Sequence, residues 1–177
     1  MGVRPLAEDD VLRRARHGDA AAFTTLVDRH HADMLRVAYV ICGDAELARD
    51  AAQLAWIKVW QGLPRLRQPE RFRSWLVAIV GNEARQSVRA RGRRGVRELP
   101  MPDDGHEPSS SGPTTDGMDL ASALARLEPA DRELLAMRYL VGLGSEEIAR
   151  ATGRSASGVR ARLSRLTSRL REELTDV

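Results

Sequence analysis

The chain of 177 residues contains one cysteine, Cys42, and four histidines. A single thiol excludes an internal disulfide, and a reducing compartment is the default expectation. The histidines form no chelate. His30 and His31 are adjacent, so on a helix they point about 100° apart, and His17 and His106 have no partner at ligand spacing. The only glycine loop of note, GLGS at 142–145, is too short to cradle a phosphate. No catalytic site, metal or cofactor is therefore expected. No apolar run approaches the roughly 20 residues that span a bilayer, and MGVRPLAEDD at the start lacks the apolar core of a signal peptide. A cytoplasmic protein without membrane insertion is expected. Aromatics are only 4% of the chain, and β-branched alternation is missing, so strands are not expected.

Lysine is also nearly absent. Of 28 basic side chains, only Lys58 is not arginine. A GC-rich coding bias accounts for the ratio but not for the clustering. Residues 1–97 carry 18 basic and 11 acidic side chains, residues 98–125 carry six acids and no base, and residues 126–177 carry 10 bases and 8 acids. An acidic block thus separates two basic ones. The planar guanidinium suits phosphate and base edges better than an ammonium does.

Apolar residues recur at three and four, so the whole chain reads as helical. Helices are expected at about 9–17, 20–41, 46–63 and 72–94, with Asp44 as N-cap of the third, Gly43 ending the second, and Gly62 and Pro64 closing the third. The composition then changes. Residues 99–119 hold four Pro, three Gly, three Ser and five acids, which cannot bury an apolar face. The expected organisation is two small helical domains, at 1–97 and 119–177, joined by a flexible acidic linker at 98–118. The second domain has helices from about Asp119, from Pro129 and over SEEIARAT, then a final helix from about Ser155 to Leu174.

SEEIARAT, Gly153 and the final helix form a helix-turn-helix pattern. Ser145 and Ser155 are the expected caps. At 100° per residue, Val159, Leu163, Leu166 and Leu170 fall within about 60° of one another and define a buried stripe. The opposite face carries Arg160, Ala161, Ser164, Arg165 and Ser168. Arg162 and Arg169 border the stripe, within expected reach of flanking phosphates. Arg150 to Arg171 includes seven arginines and no acid, whereas a plain solvated face usually mixes signs. A major-groove reading face is expected, with arginine suited to guanine edges.

In the first domain, Leu47, Ala51, Leu54 and Ile57 are expected to face the core, with Asp44, Asp50 and Gln53 along a polar edge. FRSWLVAIVGNEARQSVRARGRR, at 72–94, begins apolar, turns polar at Asn82 and ends in five arginines, including Arg85 and Arg89. With no acid beside them in that tail, phosphates are the expected counterions.

Four stretches, in order and at matching spacing, make the chain resemble an extracytoplasmic-function (ECF) RNA polymerase sigma factor. RARHGDAAAFTTLVDRHHADMLRVAYVICGD resembles the family's opening helices, and DAELARDAAQLAWIKVWQGL its polymerase-clamp helix. The 72–94 stretch resembles its promoter-melting helix, and residues 127–166 its second domain. The resemblance implies a promoter-specificity subunit of RNA polymerase. The first domain would bind the β′ clamp and the −10 element, and the second would bind the β flap and the −35 element. Polymerase contacts are expected at Asp44, Asp50, Gln53 and Leu54. Leu54 departs from the family, which usually has Gln-Glu at this point. The −35 readers are expected at Arg160, Ala161, Ser164 and Arg165, the positions the helical angles select independently. Ser157 precedes them, where Ser157-Gly158-Val159 replaces the usual Gly-Thr-Val. The −10 set is expected at Leu66 and Arg67 in the loop, then Trp75, Asn82, Arg85 and Arg89. An anti-sigma factor joins the partners that the resemblance brings. A helix-turn-helix regulator acting without polymerase is the main rival reading.

Overall fold

The computed structural model describes the backbone of residues 8–95 and 115–175. Among these residues every regular element is a helix. The principal ones are α1 (Glu8–Arg16), α2 (Ala20–Cys42), α3 (Ala45–Gly62), α4 (Phe72–Gly95), α5 (Thr115–Ala125), α6 (Pro129–Leu135), α7 (Ser145–Thr152) and α8 (Ala156–Thr175). The expected acidic linker lies outside the described residues, except for its last four positions. Those belong to α5, which starts at Thr115 rather than at Asp119.

Helices α2, α3 and α4 pack mutually, with α1 across α2. Local chemistry sets their ends. The Asp19 carboxylate accepts from the Ala22 N–H at 3.0 Å and from Arg14 Nε at 2.9 Å. Gly43 ends α2 in the left-handed region, at φ 68°, and its N–H donates to Tyr39 O at 2.8 Å. Asp44 follows as the cap of α3, accepting from the N–H groups of Glu46 and Leu47, both at 2.9 Å. The Leu47 hydrogen bond, then the Arg91 guanidinium, holds the Asp44 carboxyl below its ordinary value. A depressed carboxyl stabilises the fold at neutral pH, and that contribution is lost as the pH falls below the ordinary value of about 3.9. Asp44→Ala is expected to lower stability by about 1 kcal/mol, read as a reduced denaturation midpoint at pH 7. The gap to wild type should narrow at acid pH.

The buried face of α3 is not the expected one. Ala48, Ala51, Ala52, Ala55, Trp56 and Val59 are buried, while Leu54 and Ile57 are exposed and Leu47 is partly buried. Alanines let α2 and α4 approach closely, so the small side chains take the inside. The larger apolar ones are left on the outer surface.

In the second domain, α6 runs into a π turn over Ala136–Leu140, where a continuous α-helix was expected. Gly142, at φ 79°, then reverses the chain. Ser145 does not cap α7. Gly144 holds the cap position, and its N–H donates to the Glu147 carboxylate at 2.8 Å. Gly153 makes the left-handed turn into α8, at φ 69°. Ser155 Oγ accepts from the Gly158 N–H at 3.1 Å, as a cap should. The buried stripe of α8 is Val159, Leu163, Leu166 and Leu170, as the angles predict. The two domains also touch: α6 lies against α2 and α4, and α7 against α4.

Candidate nucleic-acid and partner-binding surfaces

On α8, Ser157, Arg160, Ala161, Ser164 and Arg165 are all exposed, opposite the buried stripe. Among the described residues no acid pairs with Arg160 or Arg165, so both guanidiniums are free of internal counterions. Both flanking arginines have internal partners, and Arg162 is placed differently from expectation. Arg162 forms a bidentate pair with buried Asp131, at 2.8 and 2.5 Å, and this hydrogen bonding raises its already high pKa. It ties α8 to α6 instead of reaching outward. Arg169 bonds Glu173 at 2.8 Å, and Arg126 shares the same carboxylate at 2.8 Å. Those two hydrogen bonds, Arg126 first, hold the Glu173 carboxyl low.

The six −10 candidates do not share one pocket. Leu66 is buried and Arg67 exposed. Together with Gln68, Arg71 and half-buried Trp75 they line a cleft of about 510 Å³, whose far wall is Arg150 and Ala151 of α7. The Trp75 ring lies on Gly62, where an added Cβ would be 2.9 Å from Cζ2. Its centroid is 6.2 Å from that of buried Phe72. Asn82 is exposed about two turns further along α4, with Nδ2 3.3 Å from Glu83 Oε1. Glu83 is buried and also accepts from Lys58 Nζ at 2.6 Å. Arg85 is half-buried and pairs with Glu133 of α6, Nε to Oε2 at 3.1 Å. Arg89 is exposed and lines a separate cleft of about 450 Å³ with Leu54, Gln86 and Arg93. The α3 and α4 candidates therefore meet at Leu54 and Arg89.

The outer face of α3 holds exposed Asp50 and Gln53. Asp44 is engaged in its cap and in an ion pair with Arg91. Beside them is an apolar patch: Leu54 at 47%, Ile57 at 50% and Trp60 at 40% exposure. Trp60 is steadied by the edge of Phe23, with centroids 4.8 Å apart. Ile57 and Trp60 were not among the expected contacts. The signal for them was the alanine run of α3, which marks the opposite face as the packed one.

A second apolar feature also went unread. Leu120, Leu124, Tyr139, Leu140, Leu170 and Leu174 line most of a groove of about 370 Å³, with Val40 of α2 at its edge. Tyr139 is 64% exposed there. The outward turn of Tyr139 and Leu140 belongs to the π segment, which sequence periodicity did not reveal. Elsewhere the described helices include none long and apolar enough to cross a membrane.

The family model for Sigma-70 region 2 matches residues 26–94, and that for Sigma-70 region 4 matches residues 117–170. The chain is 33% identical over 175 residues to the ECF RNA polymerase sigma factor ShbA of Streptomyces griseus, covering 91% of this chain and 92% of that protein. It is 32% identical over 168 residues to the ECF RNA polymerase sigma factor SigE of Mycolicibacterium smegmatis, covering 89% of this chain. It spans 64% of that relative's length, and 43% of a probable RNA polymerase sigma factor, RfaY, from Xanthomonas campestris. Among solved structures, the fold is similar to CnrH in its complex with the cytosolic domain of CnrY, with TM-score 0.71 and 24% identity over 96% of this chain and 97% of that one. It is also similar to RpoE in its complex with the anti-sigma factor NepR from Bartonella quintana, with TM-score 0.72 and 22% identity over 86% and 96%.

Proposed function

The chain belongs to the ECF RNA polymerase sigma factors, and from that premise we propose that it recruits core polymerase to promoters by reading −35 and −10 DNA. The observation that carries this reading is the α8 face, where Arg160 and Arg165 stand exposed without an acid partner beside Ser157, Ala161 and Ser164. Such a face fits a major groove, with arginine donating to guanine edges and small residues admitting methyl contact. The α3 surface of Asp50, Gln53, Leu54, Ile57 and Trp60 serves the β′ clamp. The groove around Tyr139 serves the β flap. Polymerase supplies the chemistry and this chain the specificity, so the protein acts in the cytoplasm and is not itself an enzyme.

In the −10 region, Leu66, Arg67 and Trp75 frame the place for an unstacked base, Asn82 contacts the opened strand further along α4, and Arg85 and Arg89 hold backbone phosphates. Extruding a base costs a few kcal/mol, and stacking on aromatic rings offsets part of that. Here Phe72 is buried and Trp75 half-covered. Melting should therefore be weak and depend on near-consensus promoters. A single −10 mismatch is expected to depress open-complex yield, measured by permanganate footprinting, and a premelted template should restore it. An anti-sigma factor is a further proposed partner. Gel filtration with core polymerase tests the assignment to a polymerase subunit. A stable complex of one chain per core is expected, and failure to associate would instead favour a regulator acting alone.

A further inference from the structure

The one lysine among 28 basic side chains stands against a buried carboxylate. Glu83 of α4 is 4% exposed, and the Lys58 ammonium of α3 donates to its Oε1 at 2.6 Å. The same oxygen accepts from Asn82 Nδ2 at 3.3 Å. An arginine in place of Lys58 would set its planar fork across both carboxylate oxygens. The compact ammonium makes a point contact, and the neighbouring amide shares the oxygen it bonds. Removing either partner from a buried charge is costly, so this small network holds its geometry.

The polarity of the Asn82 amide follows from the network. A carboxylate offers only acceptors, so Glu83 takes the NH₂ end of the amide and leaves Oδ1 as the end turned away. Asn82 also heads an exposed line on α4. Asn82, Gln86, Arg89 and Arg93 recur at intervals of four, three and four, and all are exposed, so they share one face of the helix. Glu83, Gln86, Arg89 and Arg93 line one cleft beside that face. A DNA strand with phosphates on Arg89 and Arg93 would pass its bases over an amide whose orientation is already set. Adenine N6 and cytosine N4 donate to such an oxygen, whereas thymine O4 and guanine O6 accept and would meet it unfavourably.

We infer that Glu83, paired with Lys58, is a positioning residue that fixes the Asn82 carboxamide with Oδ1 outward. The opened strand is thereby selected for adenine or cytosine at the position Asn82 meets. This inference rests on the reading of Asn82 as a contact to the opened strand.

The test uses holoenzyme assembled from core polymerase and the full chain. It binds a single-stranded DNA pool of randomised sequence, and the bound strands are sequenced. Wild type should enrich adenine or cytosine over thymine and guanine at one position, by about fivefold or more. Asn82→Ala should erase that preference. Glu83→Gln should bring it toward parity, because a glutamine offers both an oxygen and an NH₂ and so accepts either end of the Asn82 amide. Lys58 is half-exposed, so Lys58→Met leaves the core packed and is the second variant, with the same expected loss. In both, affinity for the pool as a whole should stay at the wild-type value, since the phosphate contacts remain. Arg89→Ala is the opposite case, with lower pool affinity and the base preference kept. If Glu83→Gln and Lys58→Met keep the preference that Asn82→Ala erases, or weaken all strands alike with the preference intact, the pair is structural and the positioning role is overturned. Enrichment of thymine or guanine at the Asn82-dependent position overturns the amide orientation. A preference that survives Asn82→Ala sinks the reading of Asn82 itself, and the positioning role with it.

Discussion

Arg165→Ala is expected to reduce discrimination between a cognate −35 duplex and its single-base mismatches by about 1–3 kcal/mol. The side chain is exposed on α8, opposite Val159, Leu163, Leu166 and Leu170, and no internal acid competes for it. On the proposed reading of this face, its removal takes away a base-edge contact and leaves the core untouched. Two neighbouring arginines serve as contrasts. Arg169→Ala should weaken all duplexes alike and lower the salt slope by about one, while Glu173 keeps Arg126 as partner. Arg162→Ala should instead lower thermal stability, because it strands the buried Asp131 carboxylate. Binding titrations against a mismatch series check the set. Uniform weakening by both Arg165→Ala and Arg169→Ala would show that the recognition face is misassigned.

Trp60→Ala is expected to weaken binding to core polymerase by about 2 kcal/mol, or roughly 30-fold. A large, partly exposed aromatic beside Leu54 and Ile57 has the character of an interface anchor, and its edge contact with Phe23 fixes it before binding. The core of α3 is built from Ala48, Ala51, Ala52, Ala55, Trp56 and Val59, so the substitution should leave the fold and duplex binding intact. Competition against labelled wild type for core polymerase measures the loss. An unchanged affinity would remove the apolar α3 face from the interface.

The helices were legible because their ends are chemical: Asp44 at an N-cap, Gly43 and Gly153 at left-handed stops. The stripe of α8 was legible because its leucines and valine keep one face over about three turns. Periodicity failed in α3, where close packing favours alanine and displaces Leu54 and Ile57 outward. It failed again at Ala136–Leu140, because a π turn shifts side chains off the α-helical register. Arg162 was read as a phosphate contact because its partner, Asp131, lies 31 residues away, a distance that no local pattern spans. The pairing of Arg85 with Glu133 was hidden for the same reason. The glycine at 81, costly in a helix, was the visible trace of that contact, since a Cβ there would meet Glu133.

The role proposed for this chain is to give core polymerase its promoter specificity. Run-off transcription from a promoter library, with core polymerase alone and with the chain added, tests it most directly. Discrete transcripts are expected only with the chain, from templates sharing −35 and −10 elements, and they should diminish with Arg165→Ala. A transcript profile identical with and without the chain would contradict it.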